Sequence, residues 1–191
     1  MAIYKAGIVH GRFQPFHKGH LNYVLAALDC FDDLVIGITD PEPIAIVEEI
    51  MDNDHHLPFA NLFTYYERLE MIHESLLDTV KLAEFQKIKI VPFPIHHMDR
   101  WHFYLPTEAT HLVYVRDSWD REKADRFESM GYDVILIDWF AQTQITDISG
   151  TMVREMMQKG DDRFYNHIPD GTRRTIEKYG LLSRLQAMPK P

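Results

Sequence analysis

The residues best placed to do chemistry in this 191-residue chain lie in one run, Gly11-Arg12-Phe13-Gln14-Pro15-Phe16-His17-Lys18-Gly19-His20. His17 and His20 are three apart where helical periodicity resumes. That spacing sets both imidazoles on one helix face, tilted back toward its N-terminal end. Gly19 between them has no side chain to block a ligand, and the free N–H groups of a helix N-terminus attract anions. Arg12 and Lys18 add formal positive charge. The group suits attack by an acceptor phosphate on an α-phosphorus, with charge building on nonbridging oxygens and on the departing pyrophosphate. Donors fixed at those oxygens stabilise that state without rearranging. No protein nucleophile is required, and the metal reading is magnesium carried by the triphosphate itself, with no protein ligands.

Two histidines at i and i+3 on an isolated helix are ordinarily surface or capping residues. The preceding strand, the following helix and the two glycines make that reading a poor one here. A zinc site is the other alternative, but His17-x-x-His20 lacks the intervening Glu and the i,i+4 spacing of helical zinc ligands, and no cysteine cluster supports one. Late in the chain Asp147-Ile148-Ser149-Gly150-Thr151-Met152-Val153-Arg154 reads as a second helix start, capped by Asp147 or Ser149 and running to Lys159-Gly160. It offers the same ligand a second set of free N–H groups.

The elements that must position these residues alternate. Apolar, β-branched runs at Ile3–Val9, Leu34–Thr39, Ile88–Phe93, His111–Val115 and Val134–Asp138 read as strands, and His20–Leu28, Thr64–Leu77 and Arg121–Met130 carry helical periodicity. The pattern predicts an α/β fold: a Rossmann-like, doubly wound parallel sheet of about five strands with helices on both faces. The residues between the first strand and first helix then lie at the sheet's carboxyl edge, where ligands of such sheets bind. Asp170–Met188 reads as one C-terminal helix with a solvated basic face of Arg173, Arg174, Lys178 and Arg184. Residues 39–63 break regular structure at Asp40-Pro41-Glu42-Pro43 and read as a long binding loop or lid. The pairs His55-His56 and His96-His97 read as exposed histidines.

With 46% apolar residues, the chain can bury a substantial core as a single domain spanning 1–191. A formal charge of −9 argues against general affinity for nucleic acid, so a phosphate ligand has to meet a local basic pocket. No signal-like N-terminus and no span-length apolar run are apparent, which predicts a cytoplasmic protein without membrane attachment. The one cysteine, Cys30, cannot form an internal disulfide and reads as a buried, inert thiol. A homo-oligomer is compatible with all of this.

The Gly-Arg-Phe-Gln-Pro-Phe-His-Lys-Gly-His run resembles the signature of the His-x-Gly-His nucleotidyltransferase superfamily, and is especially similar to archaeal-type nicotinamide mononucleotide adenylyltransferases. Ile148–Arg154 resembles that superfamily's second signature, in the expected order. The resemblance implies that His17 and His20 bind and polarise the triphosphate beside Lys18, that Ser149, Thr151 and Arg154 hold the β- and γ-phosphates, and that Gly11, Arg12, Phe13, Gln14, Gly19 and Ile148 shape the nucleotide site. Pro58-Phe59 or Phe63-Thr64, followed by Tyr66-Glu67-Arg68, and Val91-Pro92-Phe93-Pro94 with Trp101, are similar to the family's middle segments. They imply that Arg68 meets the acceptor's phosphate and Trp101 stacks on a planar acceptor group, with Thr39, Asp40 and Asp99 nearby.

Two departures stand out. After the fourth strand the adenylyltransferases usually carry Gly-Asn, where this chain has Val115-Arg116-Asp117-Ser118, so Arg116 and Asp117 would face the nucleotide instead. The 53–61 insertion and the 39–43 run resemble a branch that includes cytidylyltransferases of phosphonates and phospho-alcohols. The resemblance therefore implies a magnesium-dependent nucleotidyltransferase using a nucleoside triphosphate and a small phosphate- or phosphonate-bearing acceptor. Its leading form is ATP with nicotinamide mononucleotide to give NAD. CTP with a phosphonate or phosphorylated alcohol is the alternative, and a non-catalytic nucleotide-sensing domain a third.

Overall fold

Five runs rich in Val, Ile and Leu pair side by side because both of their faces are apolar, the condition for a sheet covered on two sides. The computed structural model describes residues 4–41, 61–115, 118–138 and 148–188. Its strands are β1 (Tyr4–Gly11), β2 (Phe31–Thr39), β3 (Ile88–Phe93), β4 (Thr110–Val115) and β5 (Val134–Asp138), all parallel in the order β3-β2-β1-β4-β5. The expected strands are all present, β1 and β2 longer than their apolar runs. Pro92, which has no N–H to give a ladder, is tolerated because β3 is an edge strand.

The helices are α1 (Lys18–Cys30), α2 (Tyr65–Thr79), α3 (Leu82–Phe85), α4 (Ser118–Ser129), α5 (Gly150–Lys159), α6 (Asp170–Lys178) and α7 (Leu181–Gln186). Alternation along the strands splits the core in two. Val9, Leu34, Ile36 and Leu112 face Val24, Met71, Val153 and Ile176, whereas Ile8, Phe93 and Val113 face Phe127, Trp101 and Tyr132. The order reverses between β1 and β4, so the crevice for a ligand opens at the carboxyl end of β1.

The expected single helix over 170–188 is two helices. Gly180, at φ +61°, takes the left-handed conformation that stops α6 and turns the chain into α7. The turn carries Arg184 back to Glu67, with both guanidinium contacts at 2.7 Å, so Arg184 stays on the exposed basic face and also ties α7 to α2. Gly171 is required by close approach, since a Cβ there would lie 2.2 Å from the Ser75 nitrogen. That proximity lets the Thr172 hydroxyl donate to the Phe16 carbonyl at 2.9 Å, bracing the loop before α1 from behind. Cys30 ends α1 half-buried, and burial together with Asp29 pushes its thiol up. Among the described residues no helix is long and apolar enough to cross a membrane.

Two histidines lie within the α4-side core. His111 is 0% exposed, stacked 3.8 Å from the Phe127 ring, and burial pushes its pKa down to about 3. His10 beside it is driven well below its ordinary value by burial, then by Lys123 and His111. No ring nitrogen of either has a hydrogen-bond partner among the described residues. Both are neutral when folded and protonate more readily unfolded, so the stability they allow is whole above about pH 6.5 and falls as the pH drops. For His111 the fall continues toward pH 3 and costs about 1.4 kcal/mol per pH unit in that window. Urea unfolding of His111→Leu should therefore lose about 2 kcal/mol less than wild type between pH 6.5 and 5. Parallel losses would place the acid sensitivity elsewhere.

Candidate active site

The first signature leaves β1 at Gly11 and must turn at once. Phe13 makes the turn at φ +53°, a left-handed conformation costly for a side chain of its size, and its ring is buried against Phe16 and His20 at 5.6 and 4.9 Å. Gly11 leaves room for that ring, because a Cβ there would come within 3.0 Å of it. Phe13 thus supports the site from the core, and its ring is not an open surface for a nucleotide.

His17 is the N-cap of α1. Its Nδ1 accepts from the His20 N–H at 3.3 Å, while His20 Nδ1 accepts from the His17 N–H at 3.4 Å. The two rings stack with centroids 3.5 Å apart. With both Nδ1 atoms accepting main-chain protons, a neutral ring carries its own proton on Nε2. The reciprocal cap therefore selects the tautomers that present two Nε2–H donors. Gly19 is buried beneath them, and Lys18 is exposed in the first turn.

The second signature supplies the facing helix. Ser149 caps α5, accepting from the Met152 N–H at 3.1 Å, and Ile148 is anchored in the core. Gly150 abuts the first signature: a Cβ there would sit 2.8 Å from the Gln14 carbonyl. That carbonyl accepts from Arg154 Nη1 at 2.7 Å, and Arg154 Nη2 donates to Thr151 Oγ1 at 3.1 Å. The Gln14 side chain is itself committed, donating to the Phe63 carbonyl and accepting the Phe63 N–H, both at 2.9 Å. Gln14 thus ties the two signatures and the entry to α2 together, a role its expected place in the nucleotide site did not contain. Burial first, then Arg12, lowers Arg154 to about 10, and burial lowers Arg12 while Asp40 opposes. A buried cluster of cations held apart by carbonyls is a site built for an anion of several charges.

At the acceptor end the structure departs from expectation. Arg68 is 2% exposed. Its Nη1 donates to the carbonyls of Arg12 and Thr39 at 2.8 and 2.7 Å, Nη2 to that of Asp40 at 2.8 Å, and Nε to that of Thr64 at 3.3 Å. It clamps main chain and does not point an open fork at an acceptor phosphate. Trp101, also 2% exposed, packs on Phe93 and Phe127 and donates Nε1–H to the Pro94 carbonyl, so as it stands it offers no ring face for stacking. Asp99 is exposed on the 3-10 turn Met98–Phe103. Arg116, Asp117, Asp147 and the expected lid, apart from its ends, lie outside the described residues. Thr172, which braces Phe16, was missed because nothing in local spacing marks a buried hydroxyl.

A parallel α/β sheet with two capped helix N-termini and buried arginines at its carboxyl crevice defines a class, the nucleotidyltransferases. Residues 8–156 match the family described as cytidylyltransferase-like, and the chain belongs to that family. It is 35% identical to a phosphonoformate cytidylyltransferase of Streptomyces viridochromogenes, over 95% of each chain. It is 28% identical to a nicotinamide-nucleotide adenylyltransferase of Ignicoccus hospitalis, over 94% of this chain and 95% of the relative. The fold matches a bifunctional NMN adenylyltransferase/ADP ribose pyrophosphatase from Francisella tularensis, with a TM-score of 0.64 at 17% identity. That match covers 96% of this chain and 52% of the Francisella protein, about half its length. The protein is an enzyme that transfers a nucleotidyl group.

Two substitutions test the geometry. His20→Ala should lower kcat by roughly 100-fold or more, as loss of a preorganised donor does, while the melting temperature falls only by the few degrees that a lost cap costs. Full activity would remove His20 from the machinery. Arg68→Met should leave buried carbonyls unpaired and cost about 2–4 kcal/mol, read in urea unfolding. An unchanged unfolding free energy would show that the clamp holds nothing.

Proposed function

We propose that the enzyme transfers cytidylate from CTP to an oxygen of a small phosphonate and releases pyrophosphate. The observation that carries the choice of substrates is the 35% identity to the phosphonoformate cytidylyltransferase along 95% of both chains, against 28% for an adenylyltransferase of equal coverage. The 53–61 insertion and the Thr39-Asp40-Pro41-Glu42-Pro43 run, which resemble the cytidylyltransferase branch, support the same reading, and Val115-Arg116-Asp117-Ser118 departs from the adenylyltransferases' Gly-Asn. Transfer of adenylate from ATP to nicotinamide mononucleotide is the second reading, favoured by the Ignicoccus relative.

In the reaction the phosphonate oxygen forms a bond to the α-phosphorus while the bond to the bridging oxygen breaks, its electron pair leaving with pyrophosphate. The Nε2–H groups of His17 and His20 meet the oxygens on which charge grows. Arg154, Ser149 and Thr151 hold the departing β- and γ-phosphates at the α5 N-terminus. Arg12, between Arg154 and the Arg68 clamp, serves the acceptor and the transferred phosphorus together. Among the described residues no group of three or more His, Cys, Asp or Glu gathers that could hold a metal ion. The side chains facing the crevice are mainly donors to phosphate oxygens, so magnesium fits as an ion carried by the triphosphate, where it would neutralise charge.

Pyrophosphate release should appear with CTP, magnesium and phosphonoformate, and be at least roughly 100-fold slower with ATP and nicotinamide mononucleotide, a ratio worth about 2.7 kcal/mol in transition-state binding. The reverse ratio would establish the adenylyltransferase reading, and release with neither pair would reject both.

A further inference from the structure

Arg154 is aimed by a carbonyl, and that carbonyl is aimed in turn. Arg154 Nη1 donates to the Gln14 carbonyl at 2.7 Å, and a Cβ on Gly150 would stand 2.8 Å from the same oxygen, so the first signature lies directly against the start of α5. The Gln14 side chain pairs with the main chain of Phe63 through two hydrogen bonds of 2.9 Å, as one peptide unit pairs with another. Where Phe63 sits therefore decides where the Gln14 carbonyl and the Arg154 guanidinium sit.

Arg184 on α7 holds Phe63 from both sides. Its Nη2 donates to the Leu62 carbonyl at 2.8 Å, and Nη1 and Nη2 fork onto the two carboxylate oxygens of Glu67 at 2.7 Å each. Glu67 passes the hold back along the chain by accepting the Thr64 N–H at 2.9 Å. The residues flanking Phe63 are thus tied to one guanidinium. The Glu67 side chain is only 10% exposed, so this is not a freely solvated pair, and a bidentate fork fixes direction as well as distance. α7 also reaches the other half of the grip. Gln186 Nε2 donates to the Met157 carbonyl at 3.3 Å, one turn along α5 from Arg154, and Leu181 and Leu185 share a core with Val153. The other cations of the basic face do something simpler: Arg174 meets Glu74 and Asp78, and Lys178 meets Glu70, joining helix to helix further along α2.

We propose that Arg184 is a positioning residue for the triphosphate. By holding Leu62 and Glu67 it sets Phe63, through Phe63 the Gln14 carbonyl, and through that carbonyl the direction in which Arg154 meets the departing phosphates. This role rests on the assignment of Arg154 to those phosphates and is independent of the base and of the acceptor.

The test titrates magnesium pyrophosphate calorimetrically into wild type, Arg184→Gln, Arg154→Met, the double variant and Arg174→Gln, each at a temperature where circular dichroism shows it folded. Arg154→Met should bind roughly tenfold or more weakly, the scale of a lost charge-assisted hydrogen bond. Arg184→Gln should weaken binding roughly fivefold, but by less than about twofold once Arg154 is methionine, because an effect that runs through Arg154 then has nothing left to aim. Arg174→Gln, which removes a helix tie of the same kind, should stay within about twofold of wild type. Wild-type binding in Arg184→Gln, an equal loss in both backgrounds, or a matching loss in Arg174→Gln overturns the inference and leaves the assignment of Arg154 standing. Wild-type binding in Arg154→Met overturns that assignment and this inference together. Should Arg184→Gln not fold, Glu67→Gln, whose amide oxygen can still accept the Thr64 N–H, takes its place with the same expectations.

Discussion

A guanidinium with almost no access to water has to be given its partners by the protein, and among the described residues Arg68 finds its hydrogen bonds on main-chain carbonyls. A buried cation left without partners costs several kcal/mol, so the segments that carry those carbonyls are held to the positions its planar fork demands. They are the loop after β1, the end of β2 and the start of α2. The same contact that satisfies one charge therefore sets where Arg12 emerges, turns Asp40 into its left-handed conformation and seats Thr64 as the cap of α2. Thr64 and Glu67 then cap one another, and Glu67 reaches on to Arg184, carrying the constraint to α7.

Around that clamp the ligand-facing residues double as structural ones. His17 caps α1 and Ser149 caps α5, and each helix start that needs a cap also needs an anion. The rings of His17 and His20 receive main-chain protons on one nitrogen, which decides what the other nitrogen can offer. Arg154 is held by the carbonyl of Gln14, whose side chain is pinned to Phe63, so the two signatures share a framework although they lie 140 residues apart. The cost of this economy is a cluster of buried positive charges, Arg12 and Arg154 each disfavouring the other. An anion in the crevice relieves that repulsion, so ligand binding and stability are coupled.

The β4 side of the sheet is built differently. His10 and His111 occupy a core of Phe93, Phe127, Trp101 and Tyr132 as neutral rings. Their burial makes this layer acid-sensitive, while the contacts of the Arg68 clamp, a guanidinium on main-chain carbonyls, do not themselves titrate near neutrality.

Periodicity and local chemistry were legible in the sequence by itself. Strand and helix alternation, both helix starts and the phosphate-seeking run at 11–20 follow from residue types at short spacings, because caps, turns and apolar faces are set within a few residues. What a side chain does after it leaves its own segment was not legible. Arg68 and Trp101 carry types that suit an acceptor, and only the packing of three segments shows one as a clamp and the other as core. The break at Gly180 turned a single expected helix into two, because a left-handed glycine can end a helix whose periodicity would otherwise continue. The contact of His96 with Asp40 gave no local sign, since the two lie 56 positions apart and meet only through the β2–β3 register. Local rules determined the elements and the donors they carry; tertiary structure decided which donors remain available to a ligand, because burial and long-range hydrogen bonds allot each polar atom its partner.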